Sequence, residues 1–383
     1  MNFQFETCGR IVFEAGASAR LPALCREMQL RHLLLVTDPG LKATGIVERV
    51  RDLLEESGLS VTLFADVQAD PPEAVVLAAA EQARAAAIDG VIGLGGGSSM
   101  DVAKLISVLA NSEQTLGDMY GIGNVSGARL PLIQLPTTAG TGSEVTPIAI
   151  VTTGETTKMG VISPQLLPDI ALLDPELTLG LPPAVTAATG LDAMVHAIEA
   201  YTSKLKKNPY SDMLARRALS LMAAHLPTAI EQGNNLEARS HMLLGACLAG
   251  QAFANAPVAA VHALAYPIGG HYHIPHGLSN SLVLPAVLDF NASEAANLYA
   301  ELLPCIDPGA QVLNPHAACD QFIAAIRKLI ATAPLPQTLK EAQIPEADLP
   351  MLARDAMLQQ RLLVNNPREV SERDALAIYR AAY

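Results

Sequence analysis

The sequence predicts an α/β domain followed by an all-helical domain. Up to about residue 175, short apolar runs alternate with stretches of helical periodicity, which is the pattern of a mostly parallel sheet covered by helices on both faces. A helix-breaking cluster, Leu-Gly-Leu-Pro-Pro, stands at 179–183, and after it almost every segment has a helical pattern. Because 383 residues are too many for one ordinary core, we expect two domains, 1–178 and 179–383.

The individual elements follow from the apolar runs and the turn residues between them. In the first domain, strands are expected at 10–13, 32–36, 60–64, 90–94, 131–135, 147–151 and 169–173, with helices at 43–57, at 72–87 and from the glycine run at 95 to 110. Proline in the first turn of the second of these helices suits a helix start. In the second domain, helices are expected at 184–203, 212–232, 236–254 and 319–333.

A glycine-rich loop joins the fourth predicted strand to a helix. Gly95, Gly96 and Gly97 precede Ser98 there. Glycines let backbone N–H groups approach a phosphate closely, and the start of the following helix carries partial positive charge. The loop therefore suits the pyrophosphate of a dinucleotide, although the spacing differs from G-x-G-x-x-G. The alternative is a tight turn between strand and helix in which Ser98 and Asp101 form a capping pair, and both interpretations can hold at once.

Two further loops at predicted strand ends carry groups suited to a dinucleotide. Asp38 ends the second predicted strand, where a carboxylate can accept the ribose hydroxyls of NAD and repel the extra phosphate of NADP. It fits an ordinary Asp-Pro-Gly turn equally well. Thr137, Thr138 and Ser143 lie in a glycine- and hydroxyl-rich loop at 135–144. We expect this loop to line the nicotinamide and phosphate side of a cleft.

A candidate metal site is formed by Asp192, His196, His262 and His276. The first two are four residues apart and so project from one face of a helix. The other two lie in a stretch, 240–288, that contains no Asp, Glu, Lys or Arg. Imidazoles in a segment otherwise fit for burial need polar partners, and one carboxylate with three imidazoles suits Fe²⁺ or Zn²⁺. For each histidine taken alone, a hydrogen-bonded core side chain is the alternative.

Composition and charge argue against several classes of partner. The formal net charge is −13 and no long basic run occurs, so we expect neither nucleic acid nor an anionic membrane surface as a partner. Gln251, Asn255 and Pro257 interrupt the uncharged stretch too often for a span of about 20 apolar residues, which favours a buried helical core. The five scattered cysteines contain no C-x-x-C. They indicate reduced thiols in a cytoplasmic enzyme.

At these positions the chain resembles the iron-dependent (group III) alcohol dehydrogenase family, essentially from end to end. The segments that carry the resemblance are Val-Thr-Asp-Pro-Gly at 36–40, Gly-Gly-Gly-Ser at 95–98 with Asp101 and Lys104, Pro-Thr-Thr-Ala-Gly-Thr-Gly-Ser-Glu at 136–144, Lys-Met-Gly at 158–160, Thr-Gly-Leu-Asp at 189–192 through Glu199, His262 through Gly277, and Asn-Pro-Arg at 366–368. Ordered agreement across so many separated motifs is far more specific than any one of them.

The resemblance implies a dehydroquinate synthase-like fold, an NAD-binding first domain, a metal-binding second domain and a homodimer or larger assembly. It implies Fe²⁺, with Zn²⁺ possible, held by Asp192, His196, His262 and His276. It implies NAD contacts at Asp38, Gly96, Gly97, Ser98, Thr137, Thr138 and Lys158. The chain departs from the family pattern at two positions. Tyr266 replaces a second histidine that often assists proton movement, and Asp70 replaces an asparagine on the adenosine side of the cofactor.

The reaction implied is reversible hydride transfer between NAD and a small primary alcohol or its aldehyde. The metal would act as a Lewis acid toward the alcohol or carbonyl oxygen, so the ligand His276 is also counted as catalytic, and the nicotinamide carries the redox chemistry. Candidates for the proton route to solvent are His271, Tyr266 and the cofactor ribose, although His271 and His273 are as readily explained as structural. Small apolar side chains at 145–149 favour a short or medium, uncharged alcohol.

Other functions share this architecture. A lyase or cyclase of the dehydroquinate synthase type would return the hydride within one turnover and would need a basic cluster for a phosphate-bearing acidic substrate. The uncharged stretch at 240–288 argues against it. A catalytically silent NAD-binding scaffold has no need of four metal ligands. Relatives that resemble maleylacetate reductase work without this ligand set, so the four ligands count against them too.

Overall fold

The computed structural model describes residues 2–154, 157–311 and 314–383 and divides the chain into two compact units. One unit is Glu6–Leu179. The other is Gly180–Tyr383 together with the N-terminal segment through Phe5, whose Phe3 ring lies 5.6 Å from the Tyr210 ring. The change of unit falls inside the helix-breaking segment at 179–183.

The unit Glu6–Leu179 is built on a six-stranded parallel sheet and a smaller three-stranded one. In chain order its strands are β1 (Arg10–Phe13), β2 (His32–Val36), β3 (Ser60–Phe64), β4 (Gly90–Gly95), β5 (Gly121–Ile122), β6 (Leu132–Pro136), β7 (Ile148–Thr153), β8 (Thr157–Ile162) and β9 (Ile170–Leu173). The larger sheet has the order β1-β9-β6-β4-β2-β3, and the smaller one β5-β8-β7. Every pair in the larger sheet is parallel.

Helices cover both faces of the larger sheet, as the sequence predicts. They are α1 (Leu21–Glu27), α2 (Pro39–Lys42), α3 (Ile46–Glu56), α4 (Glu73–Ala86), α5 (Gly97–Leu109) and α6 (Leu116–Met119). Along β2, Leu34 and Val36 belong to a buried cluster that contains residues of α4 and α5. Leu33 and Leu35 belong to a second cluster, which contains residues of α1 and α3. Because alternate side chains of a strand point to opposite faces, two separate cores sandwich the sheet.

The sheet order places three loops side by side. β2, β4 and β6 are parallel, and β4 lies between the other two, so their carboxyl ends meet at one edge. The loops that follow these strands begin at Thr37, Gly96 and Thr137. In sheets of this kind, ligands bind at the carboxyl edge of the strands.

The unit Gly180–Tyr383 contains helices and no strand among its described residues. Its helices are α7 (Pro183–Thr202), α8 (Pro209–Glu231), α9 (Leu236–Asn255), α10 (Ala260–Tyr272), α11 (His276–Ile306), α12 (Pro315–Ala331), α13 (Leu349–Ala356), α14 (Gln360–Leu363) and α15 (Glu372–Ala381). The uncharged stretch at 240–288 is helical and mostly buried, with breaks between successive helices at 256–259 and 273–275. Proline occurs in both breaks.

Membrane-span criteria pick out one bent helix pair. None of the helices in the described ranges is by itself long and apolar enough to cross a membrane. α9 and α10 meet the criterion only as a pair, and they are bent by 105° at the break between them.

Some elements differ from the sequence-based prediction. β8 was not predicted, because its residues are mostly exposed or half-buried and give no apolar run. The helix predicted at 43–57 is shorter at its start, since α2 occupies the segment just before it and is capped by Asp38, whose Oδ1 accepts a hydrogen bond from the Leu41 amide (2.9 Å).

Candidate functional site

The four predicted metal ligands converge inside the unit Gly180–Tyr383. One donor atom from each of Asp192, His196, His262 and His276 lies within 4.8 Å of all the others. Asp192 Oδ1 is 3.9 Å from Nε2 of both His196 and His262, and 3.7 Å from Nε2 of His276. The first three residues are buried and His276 is half-buried. One carboxylate and three imidazoles at this spacing form a donor set that fits Fe²⁺ or Zn²⁺.

Close helix packing brings His276 to the other three side chains. Asp192 and His196 lie one turn apart on α7, whereas His276 is the first residue of α11. The next residue, Gly277, packs directly on the α7 backbone. A Cβ atom there would lie 2.2 Å from the Ala188 carbonyl oxygen and 3.2 Å from the Asp192 Cβ. Since protein atoms do not approach this closely, only glycine permits the helix contact that places His276 beside Asp192.

Two further buried side chains contact the ligand set. Glu199 Oε2 lies 2.7 Å from His262 Nδ1. Asn280 Nδ2 donates to Asp192 Oδ1 (2.6 Å) and lies 3.3 Å from Nε2 of His262 and of His276. Neither residue is assigned a role from the sequence. The available signal was helical spacing, since Asn280 follows His276 by four residues and Glu199 follows His196 by three.

The atoms that converge at the centre of the cluster are suited to bind a cation. Burial opposes ionisation of Asp192, but positive charge on the three histidines, when they are protonated, and the Asn280 amide outweigh it, so the pKa of Asp192 lies below its usual value. A divalent cation would supply the same positive charge in place of those protons. A hydrogen-bond donor, the Asn280 amide, points at the shared acceptors. An ionised carboxylate and converging Nε2 lone pairs are what a divalent cation requires.

The predicted proton-route residues occupy different surroundings. The Tyr266 ring lies 5.8 Å from the His276 ring, and the Arg361 guanidinium carbon lies 6.0 Å from the Tyr266 ring centre. His271 Nε2 is 2.6 Å from Asp355 Oδ2. His273 is exposed and ends α10. The structure thus places Tyr266 beside a predicted ligand and pairs His271 with a carboxylate of α13.

In the unit Glu6–Leu179, three of the predicted cofactor loops form one contiguous group. Asp38 Oδ2 is 3.4 Å from the hydroxyl of Ser99, in the first turn of α5. The Thr137 amide donates to the Gly95 carbonyl oxygen (3.0 Å). A Cβ on Gly96 would lie 3.7 Å from the Thr138 hydroxyl.

The glycine loop itself needs an unusual backbone. Gly95 has φ 152°, and a Cβ there would lie 2.7 Å from the Ser99 hydroxyl. Gly97 then begins α5, with Ser98 next to it. The loop therefore leads directly into a helix start whose amides can face an anion.

The other predicted cofactor residues have partners of their own. Lys158 on β8 forms an ion pair with Asp70 (2.5 Å), and Asp70 adopts the left-handed φ of 51°. The Ser143 hydroxyl donates to Asp101 Oδ1 (2.6 Å) and accepts from Lys104 Nζ (2.7 Å). Ser143 thus belongs to a buried network, and its predicted contact with the cofactor stays a prediction.

Known proteins resemble this chain along its whole length. The Iron-containing alcohol dehydrogenase family matches residues 8–175, and the Fe-containing alcohol dehydrogenase family, C-terminal, matches residues 186–383. Long-chain-alcohol dehydrogenase 1 of Geobacillus thermodenitrificans (strain NG80-2) is 41% identical over 374 residues, which are 96% of this chain and 93% of that protein.

Solved structures show the same likeness. The crystal structure of a 1,3-propanediol oxidoreductase superposes with a TM-score of 0.96 at 34% identity and covers 100% of both chains. The sulfoacetaldehyde reductase of Bifidobacterium kashiwanohense, solved in complex with NAD⁺, superposes with a TM-score of 0.89 at 30% identity and covers 100% of this chain and 99% of that one.

Fold and site together define a metal-dependent dehydrogenase with a dehydroquinate synthase-like fold. The chain belongs to the iron-containing alcohol dehydrogenase family. It is an oxidoreductase that acts on CH–OH groups, and the predicted cofactors, Fe²⁺ and NAD, agree with this family and with the donor set.

Proposed function

We propose that Asp192, His196, His262 and His276 hold Fe²⁺ in this chain, with Zn²⁺ as the alternative ion. The observation that carries this assignment is the convergence of their donor atoms within 4.8 Å. When bound, the metal supplies Lewis acidity toward the oxygen of the substrate and NAD supplies the hydride chemistry. The protein residues orient these groups and keep water away from them.

We further propose that residues 1–178 bind NAD and that residues 179–383 bind the metal and the substrate. Gly96, Gly97 and Ser98 offer backbone amides at the start of α5, which favours the pyrophosphate there. Asp38 has one carboxylate oxygen on the Leu41 amide and the other toward Ser99. Its negative charge at the carboxyl edge of β2 favours NAD over NADP.

Four more residues complete the proposed cofactor site. Thr137 and Thr138 follow β6 beside the glycine loop. The pair formed by Lys158 and Asp70 is assigned to the ribose and adenosine side. An asparagine at position 70 would leave the charge of Lys158 available to the cofactor, whereas Asp70 neutralises it. We therefore expect this ion pair to weaken NAD binding modestly.

The proposed substrate is a small primary alcohol or its aldehyde. Of the segment at 145–149, Ala149 belongs to a buried core cluster, whereas Pro147 and Ile148 are half-buried. Their apolar side chains favour an uncharged carbon chain. The lyase alternative is not favoured, because the similar proteins are an alcohol dehydrogenase, a 1,3-propanediol oxidoreductase and a sulfoacetaldehyde reductase, all of them oxidoreductases by name.

Tyr266 is the proposed start of the proton route, since its ring lies beside His276. His271 is a weaker candidate because Asp355 already occupies its Nε2. In a phenol the hydroxyl is the only group that can relay a proton. Replacement of Tyr266 by histidine restores the residue often found in the family and is expected to shift the pH profile of turnover toward lower pH.

We also propose a homodimer or larger assembly in the cytoplasm. β1 is an edge strand of the larger sheet. It exposes Ile11 (39%) and Phe13 (40%), and exposed apolar edge strands favour pairing with a second copy. All five cysteines are buried and free, which suits a reducing compartment.

Turnover of alcohols by the reconstituted enzyme tests the proposal. Chelator-stripped protein is assayed anaerobically by NADH absorbance, with and without Fe²⁺, over a panel of C2–C6 alcohols and aldehydes. We expect Fe²⁺ to restore turnover in the wild type and in the control His316→Ala, which changes an exposed histidine of the same unit, but not in His262→Ala. Equal turnover without metal, or full activity of His262→Ala, would overturn the assignment.

A further inference from the structure

We propose that Glu199 is a positioning residue that fixes the tautomer of His262 so that Nε2 is free to bind the metal. This inference rests on the proposed function, because Glu199 would act on the metal only through its contact with the ligand His262. Glu199 is buried, with 4% of its surface exposed. Both of its carboxylate oxygens have partners. One contacts the His262 ring and the other accepts from the backbone amide of Val261.

The contacts of Glu199 determine where the His262 proton must lie. Oε2 is 2.7 Å from His262 Nδ1, and Oε1 accepts a hydrogen bond from the Val261 amide at 2.7 Å. An ionised carboxylate can only accept hydrogen bonds. His262 Nδ1 therefore carries the proton, which leaves a lone pair on Nε2.

A second contact agrees with the same tautomer. Asn280 Nδ2 lies 3.3 Å from His262 Nε2 and 2.6 Å from Asp192 Oδ1. The Asp192 carboxylate is an acceptor, so the amide group facing it must be the NH₂ group and not the carbonyl. A donor at this distance from Nε2 favours an unprotonated nitrogen there.

Charge balance gives Glu199 a further role. Among the described residues, the groups within 4.0 Å that pair with Asp192 and Glu199 are histidines rather than lysines or arginines. Two buried carboxylates without a lysine or arginine partner are unfavourable, and a divalent cation would neutralise both. A carboxylate on the outer nitrogen of a metal-bound imidazole also increases the basicity of that ligand.

Replacement of Glu199 by glutamine separates this role from a purely structural one. In Glu199→Gln the carbonyl oxygen is required by the Val261 amide, so the NH₂ group is turned toward His262 Nδ1. That donor reverses the tautomer and puts a proton on Nε2, the nitrogen that must bind the metal. Glu199→Ala removes the carboxylate without imposing a tautomer. The inference therefore predicts that metal affinity falls in the order wild type, Ala, Gln, whereas a structural role predicts that the isosteric Gln is the milder change.

The test is a titration of metal-stripped protein with Co²⁺, followed by the visible absorption of the bound ion. We expect Glu199→Gln to weaken Co²⁺ binding by roughly 10–100-fold and to bind more weakly than Glu199→Ala. The matched control is Asp174→Asn. Asp174 is another buried carboxylate that accepts from backbone amides, at Gly16 (2.8 Å) and Ser18 (2.9 Å), but it contacts no metal ligand. We expect this control to lose stability and to keep its Co²⁺ affinity.

A second readout does not depend on metal. Nitrogen-15 spectra of histidine-labelled, metal-stripped protein are expected to show His262 with the proton on Nδ1 in the wild type and on Nε2 in Glu199→Gln. Unchanged Co²⁺ affinity and an unchanged tautomer in Glu199→Gln would overturn the inference. Co²⁺ binding that His262→Ala leaves intact would instead overturn the proposed metal site itself, so the two failures are distinguishable.

Discussion

Replacement of Lys104 by methionine tests how the two cofactor loops are held together. Lys104 is fully buried, and its Nζ donates to Ser143 Oγ (2.7 Å), Thr146 Oγ1 (3.1 Å) and the Ile148 carbonyl oxygen (2.7 Å). Asp101 lies 3.6 Å from the same nitrogen. The pair thus connects α5, which begins at the glycine loop, to the segment from 143 to 150.

The expected loss of stability comes from the Asp101 carboxylate, which remains buried without its cationic partner. Asp101 keeps its hydrogen bonds from Ser143 (2.6 Å) and the Ile150 amide (3.0 Å) but loses its cationic neighbour. Removal of one partner from a buried ion pair typically destabilises a protein by about 3–5 kcal/mol. We expect Lys104→Met to lower the free energy of unfolding by about this amount. The Michaelis constant for NAD should rise, because both loops lose their connection.

The pH dependence gives a second signature. Burial lowers the pKa of Lys104 to about 8, against the opposing effects of Asp101 and Glu144. Between pH 8 and the unfolded value of 10.5, the unfolded chain binds more protons than the folded one, so this group makes the wild type more stable as pH rises. Lys104→Met lacks this contribution.

Urea unfolding followed by circular dichroism and tyrosine emission measures both effects, since the chain has eight tyrosines and no tryptophan. If the two units unfold separately, the change belongs to the transition of Glu6–Leu179. Lys158→Met is the control, because its partner Asp70 is 45% exposed and exposed ion pairs contribute about 0–1 kcal/mol. A loss in Lys104→Met no larger than in this control, or an unchanged pH dependence, would show that Lys104 does not hold the two loops together.

Three more changes have defined outcomes. Gly277→Ala would place a Cβ 2.2 Å from the Ala188 carbonyl oxygen; we expect a lower melting temperature and at least roughly tenfold weaker Co²⁺ binding, and unchanged affinity would contradict the proposed helix contact. Burial raises the pKa of Glu144 to about 7, so the folded protein retains a proton that the unfolded chain releases. Wild-type stability should then fall as pH rises from 4.5 through 7, and urea unfolding at both ends of this range should show less of that fall in Glu144→Gln. Asp38→Asn keeps a side chain able to cap the Leu41 amide but removes the charge, so the ratio of kcat/KM for NADP to that for NAD should increase by roughly tenfold; a constant ratio would remove Asp38 from the cofactor site.

Much of the metal site could be predicted from the sequence because its ligands have a recognisable spacing. Asp192 and His196 sit one helical turn apart, and His262 and His276 stand out in an uncharged segment. The hydrogen-bond partners of these residues could not be predicted in the same way. Nothing in the residue type of Glu199 shows that it reaches an imidazole on another helix.

Side-chain partners in the unit Glu6–Leu179 could not be predicted from the sequence either. Asp101 and Lys104 are three residues apart on α5, which in sequence resembles an ordinary surface ion pair. Their burial depends on the segment at 143–150, which folds over them in three dimensions. β8 escaped prediction because its side chains are only partly covered, so the strand carries no apolar run.

The position of bound iron is the most direct test of the four proposed ligands. Crystals of protein loaded anaerobically with Fe²⁺ are measured at the iron absorption edge, and an anomalous difference map is calculated. We expect one dominant peak per chain, bonded to the Asp192 carboxylate and to Nε2 of His196, His262 and His276. A dominant peak elsewhere, such as at the stacked rings of His225 and His241 (centroids 4.0 Å apart), would contradict it, as would turnover of alcohols in crystals that show no peak at these four residues.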